Sequence, residues 1–407
     1  MLKCGLVGEK LGHSYSPRIH AELGDYEYRL YEKSPAELPA FLTEGDFHGL
    51  NVTIPYKKTV IPYCAALSEE AERIGSLNTL LRRSDGSLYG DNTDAWGFRK
   101  MIEKSGIAVG GKKALIFGSG GASVTVRAVL NALGAGEIVT VSRRGPDNYG
   151  NLDRHADAQI LVNATPLGMY PENGVAPVSI RDFPHCEGVL DVVYNPSRTA
   201  FLLEAEALGL PHAGGLTMLV QQAIRASELF TGKGVDGGEE ERIERLIRRE
   251  TENIILIGMP GCGKSTAGQL LAEKLRRPFV DCDGYIEGQA GMSIPDIFAK
   301  EGEAGFRKRE TAALRELGKQ SGTVLATGGG CVTMEENYAL LHQNGVIVRI
   351  ERELKALSTE GRPLSLTTPV EELYARRREQ YARFADCTVE NRGSREELLN
   401  AILEVLP

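Results

Sequence analysis

The chain has 407 residues, more than one ordinary core accommodates, which predicts two or three domains. Apolar residues make up 42 % and charged residues 25 %, the balance of a globular chain that folds in water. The net charge of −8 argues against a nucleic-acid or acidic-membrane surface as the main partner and leaves small molecules.

Taken in chain order, the opening stretch MLKCGLVGEKLGHS has no long apolar core, so no secretory signal is expected. No segment reaches the length that spans a bilayer. Seven scattered cysteines without a CxxC pair predict reduced thiols and a cytoplasmic location. The first hundred residues alternate short apolar runs with helical stretches such as EEAERIG (69–75). Between them lie four motifs rich in hydroxyl and amide side chains: GHSYSPRIH (12–20), GLNVTIPYKK (49–58), RIGSLNTL (73–80) and GDNTDAWGF (90–98). Each places small polar groups beside a strand end, which suits a small ligand carrying several hydroxyls.

From Lys113 the pattern sharpens into strand KALIFG, a glycine turn, helix SVTVRAVLNALG and strand EIVTVSRR, a βαβ unit. The strands QILVNA and GVLDVVY continue a mostly parallel sheet. In GSGGAS, Gly118 permits the tight turn, and Ser119, Gly120, Gly121 and Ala122 open a helix toward a pyrophosphate. The next strand ends in Ser142, Arg143 and Arg144, where an NAD site places an acid that accepts from the ribose. Two guanidiniums bind a 2′-phosphate, so NADP(H) is favoured. Residues 232–251 change character to GKGVDGGEEERIERLIRRET, read as a flexible break followed by a solvated, partly helical linker over 236–251.

After it, strand IILI runs into GMPGCGKS (258–265), a GxxxxGK[ST] phosphate cradle. Backbone amides from Gly261, Cys262 and Gly263 to Lys264 would wrap phosphates, followed by Thr266. The Lys264 ammonium would reach the β and γ oxygens, and Ser265 would ligate Mg²⁺. The Asp-x-Asp of VDCDGYIE puts Asp281 and Asp283 on one side of a strand end. Arg307 and Arg377 suit a carboxylate.

Through the four polar motifs, NATPLGM (163–169), DVVYNPSRT (191–199) and GGLTMLVQQA (214–223), the chain resembles shikimate dehydrogenase over about residues 1–235. The resemblance implies a substrate domain over 1–95, completed by a helix at 218–235, and a Rossmann NADP-binding domain over 96–217. It implies that Ser14 and Ser16 hold the substrate carboxylate, and that Thr53, Asn78, Asp94, Tyr194 and Gln222 contact hydroxyls or carboxylate. Lys57 falls on the catalytic position beside Asp94, and Gly215 lies on the cofactor side. Thr217 departs from the family, where many members have glycine.

From Asn253 to about Leu406 the chain resembles shikimate kinase, through GEAGFRKRE (302–310), TGGGCV (327–332), GRPLS (361–365) and ARRREQYARFA (375–385). This implies a P-loop α/β/α domain with a parallel sheet over 252–407, acting with ATP and Mg²⁺. Asp283, Arg307, Gly329 and Arg377 would contact shikimate, Asp281 would lie near Mg²⁺ through water, and Arg362 would meet the transferring phosphate from a lid. The lid lacks an arginine common in the family, for which Arg392 is a weak substitute. The whole is expected to be a bifunctional α/β enzyme acting on 3-dehydroshikimate and shikimate, oligomeric state open. Two alternatives remain: an inactive ligand-sensing regulator of the quinate-repressor type, and quinate in place of shikimate.

Overall fold

The computed structural model describes residues 1–12, 14–357 and 369–406. It divides into two compact units, Met1–Tyr194 with Thr199–Ile247, and Asn195–Arg198 with the chain from Arg248 onward. Among the described residues no helix is long and apolar enough to cross a membrane.

The first unit holds two sheets. One is built from β1 (Leu2–Gly8), β2 (Tyr26–Glu32), β3 (Gly49–Val52), β4 (Cys64–Leu67), β5 (Thr79–Arg82) and β6 (Leu88–Asp91), in the order β2-β1-β3-β5-β6-β4. β1 runs parallel to β2 and β3, and β5 is antiparallel to both β3 and β6. The other contains β7 (Lys113–Phe117), β8 (Glu137–Val141), β9 (Ile160–Asn163), β10 (Gly188–Asp191) and β11 (His212–Gly214), all parallel in the order β11-β10-β9-β7-β8. Its inner strands are apolar on both faces: Leu115 and Ile116 of β7 are fully buried in opposite cores, as a sheet covered by helices on both sides requires.

Two helices, Thr93–Ser105 and Gly215–Thr231, pack closely on each other. Gly97 makes that approach possible, since a Cβ there would lie 2.4 Å from the Met218 carbonyl oxygen. The second of these helices starts at Gly215 and not at 218, and it ends before Gly232, whose φ of +66° stops it.

The reading of 236–251 as a solvated linker is corrected. Residues Glu239–Thr251 form a helix, and Ile243 and Ile247 are buried among Ile19, Leu216, Val220, Ala223 and Ile224. Its charges are also partnered: Arg242 pairs with Glu22 at 2.6 Å, and Glu240 and Glu244 take Lys104 at 3.3 and 3.2 Å. The division between units falls inside this helix, after Ile247, earlier than the expected 252.

The second unit has one parallel sheet of β12 (Asn253–Ile257), β13 (Phe279–Asp281), β14 (Val324–Ala326), β15 (Gly345–Glu351) and β16 (Cys387–Glu390), ordered β13-β14-β12-β15-β16. The central β12 is buried throughout and leads into the glycine loop at its carboxyl end, where doubly wound sheets bind ligands. All seven cysteines are free thiols, and burial pushes Cys331 up to about 12.

Candidate active sites

In the first unit, a cavity of about 240 Å³ gathers residues from β1 and β3 of the first sheet and from loops and helices that follow strands of the second. Ser14, Ser16, Thr53, Lys57, Asn78, Asp94, Tyr194, Gly215 and Gln222 all line it, although they span more than two hundred positions of sequence. Lys57 lies in the turn after β3. Asp94 is carried on the first turn of the helix Thr93–Ser105, which Asn92 caps by accepting from the Ala95 amide at 3.1 Å. The Lys57 ammonium donates to the Asp94 carboxylate at 2.5 Å, and their side chains are 21 % and 14 % exposed, enough to meet a ligand.

The other polar groups are held before any ligand arrives. Asn78 donates to Thr93 Oγ1 at 3.0 Å and to Gln222 Oε1 at 3.4 Å, and its carbonyl oxygen accepts from the Thr93 amide at 2.7 Å. That fixes the amide's orientation. Ser14 Oγ accepts from the Ser16 amide at 3.2 Å. Tyr194 packs against Tyr15 with ring centres 5.3 Å apart, and burial holds both phenols above their ordinary range, Tyr15 at about 12. Gly215 has no room for a side chain, since a Cβ would sit 2.1 Å from the Val192 carbonyl oxygen.

The glycine turn after β7 borders this cavity, because Ala122 lines it. Gly118 has φ +109°, and Gly120 caps the helix Gly121–Ala132 with no side chain satisfying its first amides. A Cβ at Gly120 would meet nothing within 4 Å, so the turn leaves room beside the helix start where a pyrophosphate could approach. Ser142 follows β8, and Arg143 and Arg144 stand exposed beyond it.

One polar residue of this cavity escaped the sequence reading. Asn51 is buried on β3, two positions before Thr53, and its side chain accepts from Tyr28 Oη at 2.7 Å and donates to Thr79 Oγ1 at 3.2 Å. Its place in the motif GLNVTIP, two positions before Thr53, was the signal the sequence contained.

In the second unit a cavity of about 410 Å³ opens at the carboxyl end of β12, lined by Gly261, Gly263, Lys264, Ser265 and Thr266 from the loop and helix. Lys264 is 8 % exposed and donates to the carbonyls of Gly258 and Met259 at 2.9 and 3.1 Å. Cys262 is fully buried: its Sγ accepts from the Lys264 ammonium at 4.0 Å, and its carbonyl accepts from Asn391 at 2.8 Å. Ser265 Oγ donates to Asp281 Oδ2 at 2.5 Å, so a hydroxyl and a carboxylate stand side by side at the helix start. These hard oxygen donors fit Mg²⁺, which keeps several waters and needs no cage. Among the described residues no three His, Cys, Asp or Glu side chains converge to form one.

Opposite the loop, Asp283, Arg307, Gly329 and Arg377 line the same cavity. Burial raises the Asp283 carboxyl above its usual range and the charge of Asp281 adds to this, while Lys264 and Arg307 oppose both. Arg377 donates to the Gly329 carbonyl at 3.2 Å, and Tyr381 donates to the same oxygen. Arg307 donates to Glu310 Oε2 at 2.6 Å, and Glu310 is fully buried. Glu310 also lines the cavity and was missed, since it sits in a helix dense with charge and only its spacing from Arg307 singles it out. Arg362 lies outside the described residues. Arg392 pairs with Glu390 at 2.7 Å and lines a separate cavity of about 240 Å³.

Comparison with known proteins agrees with both halves. The family model for the shikimate dehydrogenase substrate binding domain matches residues 6–80, and that for shikimate kinase matches 260–407. A shikimate dehydrogenase (NADP(+)) of Clostridium perfringens is 38 % identical over 260 residues, covering 59 % of this chain and 96 % of the relative. The structure is similar to shikimate dehydrogenase 1 from Peptoclostridium difficile, with a TM-score of 0.56, 35 % identity, and coverage of 61 % of this chain and 98 % of that one. It is also similar to shikimate 5-dehydrogenase from Thermus thermophilus in complex with NADP(H) and shikimate, with a TM-score of 0.55, 33 % identity, and coverage of 60 % and 99 %. The chain belongs to the shikimate dehydrogenase family, and a shikimate kinase domain follows in the same polypeptide.

Proposed function

We propose that the first unit reduces 3-dehydroshikimate to shikimate with NADPH, and that the second phosphorylates the 3-hydroxyl of shikimate with ATP and Mg²⁺. The observation that carries the reading is the Lys57–Asp94 pair in a cavity lined by hydroxyls and amides together with apolar side chains such as Leu6, Val52 and Met218. NADPH, when bound, would supply the hydride to the ketone carbon; the backbone amides of Gly120 and Gly121 would hold its pyrophosphate, and Arg143 and Arg144 its 2′-phosphate. Lys57 stabilises the developing alkoxide and gives it a proton, and Asp94 keeps the ammonium aimed. In the reverse direction Lys57 takes the hydroxyl proton. Ser14 and Ser16 bind the ring carboxylate. Thr53, Asn78, Tyr194 and Gln222 orient the ring, with the amides of Asn78 and Gln222 already held in place.

At the second site Lys264 exchanges its carbonyl partners for phosphate oxygens. Ser265, with Asp281 through water, would hold Mg²⁺, which would supply positive charge to the phosphates. Arg307 and Arg377 grip the ring carboxylate. Asp283 orients the attacking hydroxyl and accepts its proton, a task its raised affinity for protons suits. The deciding experiment incubates the chain with 3-dehydroshikimate, NADPH, ATP and Mg²⁺, following NADPH absorbance and ADP formation separately. Both signals are expected, and a folded protein that gave neither would overturn the reading.

A further inference from the structure

We infer that Asp191, a buried carboxylate outside both sets of reacting groups, is the positioning residue that ties the substrate-side and nucleotide-side loops of the dehydrogenase site together. This rests on the function proposed above. Asp191 ends β10, is fully buried, and stands in register with Asn163 at the end of β9. Three donors converge on it. Oδ1 accepts from the Val193 amide at 3.0 Å and from Asn163 Nδ2 at 3.0 Å, and Oδ2 accepts from Thr199 Oγ1 at 2.7 Å.

The first donor controls the substrate side. Val193 lies between Val192 and Tyr194, which both line the cavity, and its carbonyl accepts from the Gly215 amide at 2.9 Å, fixing the start of the helix that carries Gln222. The second controls the nucleotide side. Asn163 Oδ1 accepts from the Thr165 amide at 3.0 Å and from Thr165 Oγ1 at 2.6 Å, and Asn163 Nδ2 also donates to the Leu167 carbonyl at 3.2 Å. Thr165 rests against the glycine turn: its methyl lies 2.8 Å from where a Cβ of Gly118 would stand. The third donor anchors the cap of the helix Ala200–Ala207.

Only a carboxylate offers acceptors alone, and three donors need acceptors. The fold retains it at a cost, because burial pushes its carboxyl up to about 6 while its three hydrogen-bond donors pull it down. A group kept charged in the interior without a cation is kept for what it holds. Asparagine preserves most of the geometry, since its oxygen can still take Val193 and Asn163 while its NH₂ donates to Thr199. Alanine removes every acceptor.

In the full chain, Asp191→Ala is expected to raise KM for 3-dehydroshikimate and for NADPH together, by about tenfold or more, with kcat changed less. Asp191→Asn is expected to stay within about threefold on both. Kinase activity of the same molecules should not move, which controls for concentration and folding of the rest. Asp191→Ala with both KM values within twofold of the wild type, or with only one of them raised, overturns the inference. If Asp191→Ala fails to fold, Asn163→Ala decides. It cuts the nucleotide-side arm alone, so a severalfold rise in NADPH KM with an unchanged 3-dehydroshikimate KM supports the inference, and an unchanged NADPH KM sinks it. An inert wild type would sink the reaction assignment instead, and NADP⁺ affinity by calorimetry would then read the same comparison.

Discussion

Acid should unfold the first unit through His20. The ring is fully buried, stacks on Tyr28 at 3.9 Å with 9° between planes, and shares a 2.6 Å hydrogen bond between Nδ1 and Tyr26 Oη. Burial drives its pKa from 6.5 down to about 3, only partly opposed by Asn51. Because the folded-state value is depressed, the unfolded chain binds a proton between pH 6.5 and 3 that the fold refuses. Stability from this group is therefore complete above pH 6.5 and is lost as pH falls, at about 1.4 kcal/mol per pH unit once the unfolded ring is protonated. From pH ~7.5 to ~5 the loss comes to about 2 kcal/mol, or a midpoint shift of about 1 M urea for a slope of ~2 kcal/mol/M. The chain has one tryptophan, Trp96, and it lies in the first unit, so its fluorescence in urea reads that unit alone. His20→Phe keeps the ring stack and cannot titrate. Its midpoint should fall less between those pH values, by about the same 1 M, whatever its stability at neutral pH. Parallel midpoint-against-pH lines for the two proteins would refute the argument.

Three further outcomes follow from the sites. Lys57→Ala should abolish NADPH oxidation while ADP formation from shikimate continues, and Lys264→Ala should do the reverse, each loss about 10²-fold or more. Either change silencing both activities in a folded chain would show that the sites are not independent. Glu310→Gln removes the charge that holds Arg307 at 2.6 Å, so the kinase KM for shikimate should rise about tenfold, with dehydrogenase rates unaltered as the check. Replacing both Arg143 and Arg144 by alanine should raise KM for NADPH about 10²-fold and that for NADH little, as initial rates with each coenzyme would reveal.

How far the residues themselves disclose this architecture depends on the range of the forces involved. The two glycine loops were plain because a turn, its backbone conformation and the helix after it are contiguous. Gly118 and Gly263 at positive φ do their work within a few residues. Lys57 and Asp94 meet through tertiary packing, and only the ordered series of short motifs hinted that they share a cavity. Glu310 and Asn51 left weaker traces. Each is a polar residue inside an ordinary element, and its importance comes from what faces it across the fold. The helix Glu239–Thr251 misled for a related reason. A run dense in Glu and Arg reads as solvated, yet Ile243 and Ile247 at a spacing of four suffice to seat it, and its charges find partners at Glu22 in a turn and Lys104 on a helix.

The two lysines show how one side chain is set to different work by what faces it. Lys57 faces a carboxylate in a cavity of mixed polar and apolar lining, and on the proposed reading it gives up a proton there while Asp94 keeps the chain aligned. Lys264 faces two backbone carbonyls, which orient the ammonium but take no proton from it. On the proposed reading Lys264 supplies charge to the phosphates beside the glycine loop and takes no part in proton transfer. The grips on the ring acid differ in the same sense. On the proposed reading, hydroxyls hold its carboxylate in the first unit and guanidiniums hold it in the second, and charge-assisted pairs are the stronger. Hydride transfer needs the ring aligned against a coenzyme and then released. Phosphoryl transfer needs it fixed while a highly charged group passes to it, so the heavier electrostatic hold belongs where the structure has placed Arg307 and Arg377.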